Sequence, residues 1–398
     1  MQRAPRPDRQ SAMIASIASP RLMLIGGDAV AQVAELLAKL GLKHPLIVTD
    51  PFLVKSGLVE RVLAPLRAAG LPHGVFSDTV SDPTDAVVEA GVVAMRSAPY
   101  DCLIGFGGGS PIDTAKAMTV LAAGGGKMRD YKVPVAADRA LVPVIAIPTT
   151  AGTGSEATRF TVITDTGHDE KMLIAGLGAT PAAAIVDWKL TLSVPPRITA
   201  DTGIDSLTHA LEAFVSRRAN PHADALAKAA MGLIAPTLRT VYAEPDNAAA
   251  RERMMLGAMQ AGMAFSASSV ALVHGMSRPI GAHFHVPHGL SNAMLLPAVT
   301  RFSVPAALAR YAEAARAMGI APAAEGDQAA ASRLVDELGA LNRDLDVPSP
   351  RRFGIDPARW QALAGTMADQ ALASGSPANN PRVPGREDIL ALYAEVFA

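Results

Sequence analysis

The sequence predicts an α/β amino-terminal domain on a doubly wound parallel sheet, residues 21–191, and an all-helical carboxy-terminal domain, residues 192–398. Three observations carry this. Apolar runs of strand length alternate with helical patterns through the first half. Those runs are continuous in Val, Ile and Leu instead of alternating with polar residues, as in a parallel sheet covered on both faces. Strand signals then stop near Thr191, and from about Arg197 onward Ala-, Leu- and Met-rich helical patterns run between Pro and Gly breaks.

Taken in order, RLMLIGG reads as a short strand, and DAVAQVAELLAKLG as a helix with glycine at its stop. HPLIVTD is a strand ending in Asp50, followed by one helix over PFLVKSGLVERVLAPLRAAG. HGVFSD and a helix from Pro83 to Arg96 repeat the alternation, and DCLIGF leads into GGGSPIDTAKAMTVLAAGGG, whose Gly124 to Gly126 stop the helix. Further strands and loops fill ALVPVIAIPTTAGTGSEATRFTVITD and KMLIAGLGATPAAAIVDWKL. Beyond them Met254, Met255, Met259 and Met263 fall at helical spacing and read as core filling.

A chain of 398 residues is too long for one compact core and carries enough apolar content to bury two. Its formal net charge of −1 and the lack of a basic run with interleaved aromatics give no support for a nucleic-acid partner. No apolar run free of charges and breaks has the length to span a bilayer. Residues 1–20 contain Arg3, Arg6 and Arg9 without a continuous apolar core, and read as a flexible leader, not a secretion signal. The single cysteine, Cys102, lies in an apolar run and suits a reducing, cytoplasmic compartment.

Four residues point to a metal. Asp205 and His209 stand four apart in an apolar, proline-free segment, so a helix projects both from one face about a turn apart. His274 and His288 bracket a segment interrupted by Pro279 and Gly281, where the expectation is a turn that brings a second helix to the same point. One carboxylate and three neutral imidazoles suit iron(II) or zinc(II) without thiolates.

A second constellation points to a phosphate. Gly107, Gly108, Gly109 and Ser110 follow a strand and precede Pro111; the reading is Ser110 as N-cap, Pro111 at the first helical position and Asp113 completing a capping box. Glycines let backbone approach an anion, and the free amides of a new helix attract it. Asp50 at a strand end suits the ribose hydroxyls of an adenosine and repels a 2′-phosphate, which favours NAD(H) over NADP(H). Thr149, Thr150, Gly152, Thr153 and Ser155 form another polar loop at a strand end.

Taken together, IVTD, GGGSPIDTAKA, IPTTAGTGSEAT, the single Lys171, TADTGIDSLTHALEAF, VHGMSRPIGAHFHVPHGLSNAMLLP and the closing SPANNPR resemble the iron-containing (group III) alcohol dehydrogenases, among them the lactaldehyde reductases. The resemblance covers nearly everything from Arg21 onward. It implies the dehydroquinate synthase-like fold of that family and a cleft between domains holding cofactor and metal. It places Asp205, His209, His274 and His288 as metal ligands. Gly107, Gly108, Gly109, Ser110 and Asp113 take the pyrophosphate, Asp50 the ribose, and Thr149, Thr150, Thr153 and Lys171 the rest of NAD(H). The implied function is reversible hydride transfer with iron(II), or alternatively zinc(II), between nicotinamide and a small primary alcohol, diol or hydroxy acid, in a homodimer or larger homo-oligomer.

Two departures stand out. Four residues after the first of the paired ligand histidines, relatives of the lactaldehyde type carry a histidine thought to pass protons, and Arg278 stands there instead; a guanidinium is a poor shuttle, so His283 or His285 becomes the candidate relay. The stretch that shapes the substrate pocket in relatives reads Thr158, Arg159, Phe160, so Arg159 and Arg278 bring positive charge that suits an anionic substrate. Two rival enzyme readings are a metal- and NAD-dependent lyase or cyclase of the dehydroquinate synthase type and a maleylacetate reductase-like enzyme. A third is a regulatory protein with structural histidines. The complete ligand set speaks against the last two.

Overall fold

Parallel strands need long crossovers, and as far as β5 the first half supplies them as helices alternating with strands. The computed structural model describes residues 14–397. β1 (Leu22–Ile25) leads through α1 (Val33–Leu40) to β2 (Pro45–Val48), then α2 (Pro51–Lys55), α3 (Glu60–Ala68), β3 (Gly74–Phe76) and α4 (Asp85–Arg96). β4 (Cys102–Gly107), α5 (Gly109–Gly124) and β5 (Val144–Pro148) follow. β6 (Phe160–Asp165) and β7 (Glu170–Ala175) form a separate antiparallel hairpin, and β8 (Ala183–Val186) returns to the main sheet. That sheet has six parallel strands in the order β1-β8-β5-β4-β2-β3. β2, β4, β5 and β8 are buried along their whole length, which is why they read as unbroken apolar runs.

The helical part comprises α6 (Pro196–Val215), α7 (Pro221–Ile234), α8 (Leu238–Ala243), α9 (Ala248–Ala267), α10 (Leu272–Phe284), α11 (His288–Ser303), α12 (Leu308–Ala317), α13 (Asp327–Asp344), α14 (Pro350–Phe353), α15 (Pro357–Ala373) and α16 (Arg386–Phe397). α6 is buried on almost every residue from Thr199 to Val215, so it is the central rod around which the others pack. Met254, Met255 and Met259 lie in the core. No single helix among the described residues is long and apolar enough to cross a membrane; α9 and α10 pass that test only as a pair bent by 104°, and both are largely buried.

Several expectations change. Residues 1–13, with Arg3, Arg6 and Arg9, lie outside the described residues, and 14–20 form neither helix nor strand. The single helix expected from Pro51 to Gly70 is two, because Gly57 adopts φ 77° and breaks it after α2. α5 begins at Gly109, not after Ser110: Gly108 is its N-cap and makes no side-chain cap bond, so neither the Ser110 cap nor the Asp113 capping box forms. The chain does not turn at Pro279 and Gly281 either. α10 runs through both to Phe284, and the reversal comes at His285, in the left-handed region with φ 55°, followed by Pro287 as the residue before α11.

The loop through which the first part meets the helical part is braced by a buried cation. Lys116 of α5 is fully buried, and its ammonium donates to the carbonyls of Ser155, Thr158 at 3.0 Å and Phe160 at 2.9 Å. Asp113, one turn back, accepts from Ser155 Oγ at 2.6 Å and from the Val162 amide at 2.8 Å. Burial pulls the Lys116 ammonium down to about 8 while the Asp113 and Glu156 carboxylates oppose it. The loop so held touches the helical part at two points. Gly154 (φ 62°) lies so close to the Gly262 backbone that a Cβ would stand 2.5 Å from its Cα, and Ser206 Oγ donates to the Gly152 carbonyl at 2.9 Å. Lys116→Met strips these carbonyls and carboxylates of their cation at full burial and is expected to cost roughly 3–5 kcal/mol, measured by chemical denaturation of the otherwise unchanged chain.

Candidate active site

α6 places Asp205 and His209 on one face, one turn apart, because the segment is apolar and free of proline between them. Helix α10 contributes His274 from its first turn, and α11 starts with His288. The structure brings the four together. Ligand atoms of Asp205, His209 and His274 all lie within 4.8 Å of one another, and all three residues are buried. Asp205 Oδ1 stands 3.8 Å from His209 Nε2, 3.4 Å from His274 Nε2 and 4.0 Å from His288 Nε2.

The electrostatics suit a cation. Burial would push the Asp205 carboxyl up, but the surrounding histidines outweigh it and hold the group well below the usual carboxylate range. Burial drops His209 to about 4 and His288 to about 3, so both offer neutral lone pairs at neutral pH. The Asn292 amide nitrogen sits among the same atoms, 2.6 Å from Asp205 Oδ1, 3.2 Å from His274 Nε2 and 3.3 Å from His288 Nε2, while its carbonyl oxygen is buried without a partner. One carboxylate and three imidazoles converging on a common point, with such an orphaned oxygen beside them, fit a divalent transition metal.

The phosphate-type loop is also assembled. Gly107 ends β4 with φ 150°, and a Cβ there would strike Pro111 Cγ at 2.5 Å. A Cβ on Gly109 would meet Thr153 Cγ2 at 2.8 Å, so the glycine run and the threonine loop nearly touch. Thr149 continues the ladder by donating its amide to the Gly107 carbonyl at 2.8 Å. Asp50 caps α2, with Oδ1 accepting from the Leu53 amide at 2.9 Å. β2, β4 and β5 are adjacent, so Asp50, the glycines and Thr149 line one carboxyl edge of the sheet.

Other expected residues have different occupations. Asp113 spends both carboxylate oxygens on Ser155 and Val162, and so braces the loop from below. Thr158 is buried and accepts from Lys116. Lys171 of β7 pairs with Asp82 at 2.7 Å and packs over Gly281 of α10. His283 shares a 2.8 Å hydrogen bond with Gln370, and His285 is exposed on the turn. Among the described residues neither has a hydrogen bond to the four donors. Arg159 is half-buried with Nε lacking a partner, and Phe160 stacks on Phe265 at 6.1 Å between centroids. Arg278 is buried, one turn beyond His274 on α10, and donates from Nη1 to Ser376 Oγ at 2.9 Å. It lines a cavity between the β7 hairpin and α10 with Lys132, Lys171 and Gln370 and with the carboxylates of Asp169 and Glu170, the latter paired with Lys132.

Sequence reasoning overlooked four groups: Glu212, Asn292, Phe265 and Lys116. The first two carried a signal, since Glu212 falls three residues after His209 and Asn292 four after His288, each on its helix's ligand face. Phe265, stacked on the His209 ring at 4.4 Å, and Lys116 had none.

The sequence profile described as "Iron-containing alcohol dehydrogenase" matches residues 20–188, and that described as "Fe-containing alcohol dehydrogenase family, C-terminal" matches 199–397. Long-chain-alcohol dehydrogenase 1 of Geobacillus thermodenitrificans (strain NG80-2) is 40% identical over 396 residues, 97% of each chain. Lactaldehyde reductase of Escherichia coli (strain K12) is 36% identical over 371 residues, 92% of this chain and 96% of its own. A crystal structure of 1,3-propanediol oxidoreductase superposes with a TM-score of 0.92 at 34% identity, covering 97% of this chain and 100% of that one. Asp205→Asn keeps the side chain's shape but removes the only charge in the donor set. Metal analysis after equilibration with iron(II) or zinc(II) is expected to show at least about ten-fold less bound metal than in the unaltered chain.

Proposed function

We infer the function from one premise: the chain belongs to the iron-containing alcohol dehydrogenase family. It is an NAD(H)-linked oxidoreductase that interconverts small alcohols and aldehydes, with iron(II) as its metal. The observation that carries this reading is the convergence of the buried Asp205, His209 and His274, with the half-buried His288 4.0 Å from Asp205 Oδ1. When bound, the metal supplies Lewis acidity to an alcohol or carbonyl oxygen and the nicotinamide carries the hydride.

The proposed division of labour puts the dinucleotide on residues 21–191 and the metal on 192–398. Asp205 gives the charge, and the neutral rings of His209 and His288 give lone pairs. Gly107 to Ser110 offer the amides of a new helix, and Asp50 keeps its second oxygen for the ribose. Thr149, Thr150 and Thr153 close over the same edge. Phe265 stacks on the His209 ring and Phe160 on Phe265, so the donor side of His209 is backed by apolar rings.

Arg278 narrows the substrate class. Burial lowers its guanidinium to about 10, so it stays charged at neutral pH, yet its described partner is a serine hydroxyl and no carboxylate among the described residues lies within ion-pair distance. A buried cation one helical turn from His274, facing a cavity, supports a hydroxy acid or another anionic alcohol as substrate. Neither His283, held by Gln370, nor His285, exposed on the turn, is assigned as a proton relay. We assign the molecule to a homodimer or larger homo-oligomer, which light scattering tests. We place it in the cytoplasm, where its single buried thiol, Cys102, stays reduced.

Two outcomes check this. Thorough chelation is expected to abolish NADH formation from short primary alcohols, and iron(II) to restore it; turnover indifferent to metal removal would sink the reading. Arg278→Gln is expected to raise KM for ω-hydroxy acids by about ten-fold or more. Neutral diols should change far less, and an equal effect on both classes counts against the charged pocket.

A further inference from the structure

Glu212 is 4% exposed, and its two oxygens receive three N–H groups from one short stretch of chain. Oε2 accepts from the Ala271 amide at 2.8 Å and from His274 Nδ1 at 2.6 Å; Oε1 accepts from the Val273 amide at 2.6 Å. The stretch is the start of α10. Its N-cap residue is Ala271, which has no side chain to satisfy the first amides, so the carboxylate reaching across from α6 does that work. The same group fixes the His274 ring. With the proton on Nδ1 facing Glu212, the Nε2 lone pair faces Asp205 Oδ1 at 3.4 Å and the point shared by the other donors. The opposite tautomer would aim an N–H at that point.

We propose that Glu212 is a positioning residue of the metal centre: one buried carboxylate anchors the helix that delivers His274 and selects the His274 tautomer able to bind a metal. Glu212 sits three residues after His209 on the same helix face, so α6 supplies two ligands and the support of a third. An amide cannot substitute. Three donors converge on two oxygens, and glutamine would turn an NH2 toward either His274 or a backbone amide. The inference rests on the metal reading above.

The test compares the full-length chain with Glu212→Gln and with Glu212→Gln combined with Ala271→Ser. Zinc(II) affinity is measured by chelator competition, the cobalt(II) visible spectrum is recorded, and the thermal midpoint is taken without metal. Glu212→Gln is expected to weaken zinc binding by about 10–100-fold and to change the cobalt spectrum. The added serine restores a local cap, so it is expected to recover the metal-free midpoint while leaving affinity low. If Glu212→Gln binds zinc within two-fold of the unaltered chain, or if the serine restores affinity together with stability, Glu212 is a helix cap only and the proposal falls. Should the single variant not fold, the double variant carries the same comparison. An unaltered chain that takes up no divalent metal overturns the metal reading itself.

Discussion

A carboxylate buried among imidazoles is the constraint on which the helical half depends. Asp205 is 2% exposed, and an ionised carboxylate taken out of water is expensive unless its surroundings replace the lost solvation. Asn292 donates to it, and three histidine nitrogens surround it. These groups come from three helices, so α6, α10 and α11 must meet at fixed depths and rotations for the charge to be tolerated. That requirement explains why α6 is buried on nearly all sides, and why the turn between α10 and α11 places a non-glycine residue, His285, in the left-handed region.

The α/β half meets this centre through a loop, not through the sheet itself. Residues 149–158 leave the carboxyl end of β5, carry the threonines that face the glycine run, and touch α6 and α9. Such a loop carries many backbone polar groups into a buried place. Lys116 answers that demand from beneath, and Asp113 adds two acceptors. The loop between the glycine run and the converging donors is thus held in place by one internal ion cluster. Gly154 against Gly262 shows how tightly the parts approach.

Most of the architecture was legible because its signals are local and repeated. Continuous Val, Ile and Leu runs mark strands covered on both faces, and Asp205 with His209 carries its own geometry in a spacing of four. Other details failed for reasons equally physical. Ser110 looks like a cap, but Gly107 and Gly108 can adopt the approach to the helix, so α5 starts two residues earlier and the serine lies inside its first turn. Pro279 looks like a break, yet α10 is buried on both sides of it, and packing outweighs one lost backbone bond. Asp113 looked exposed to a ligand because nothing local reveals that Ser155, forty-two residues away, takes its oxygen.

By itself, then, the sequence determined the fold class, the alternation of strands and helices, and which four residues could bind a metal, since each follows from periodicity or residue chemistry within a few turns of chain. Tertiary structure alone decided which polar groups are consumed by the protein and which stay free for chemistry. Glu212 and Lys116 are charged side chains that look like surface residues until folding surrounds them with donors and acceptors from distant segments. Arg278 shows the converse. Its neighbours along α10 are fixed by sequence, but the absence of a carboxylate within ion-pair reach among the described residues is a property of the whole assembly of helices, because desolvation and pairing depend on what the fold brings alongside.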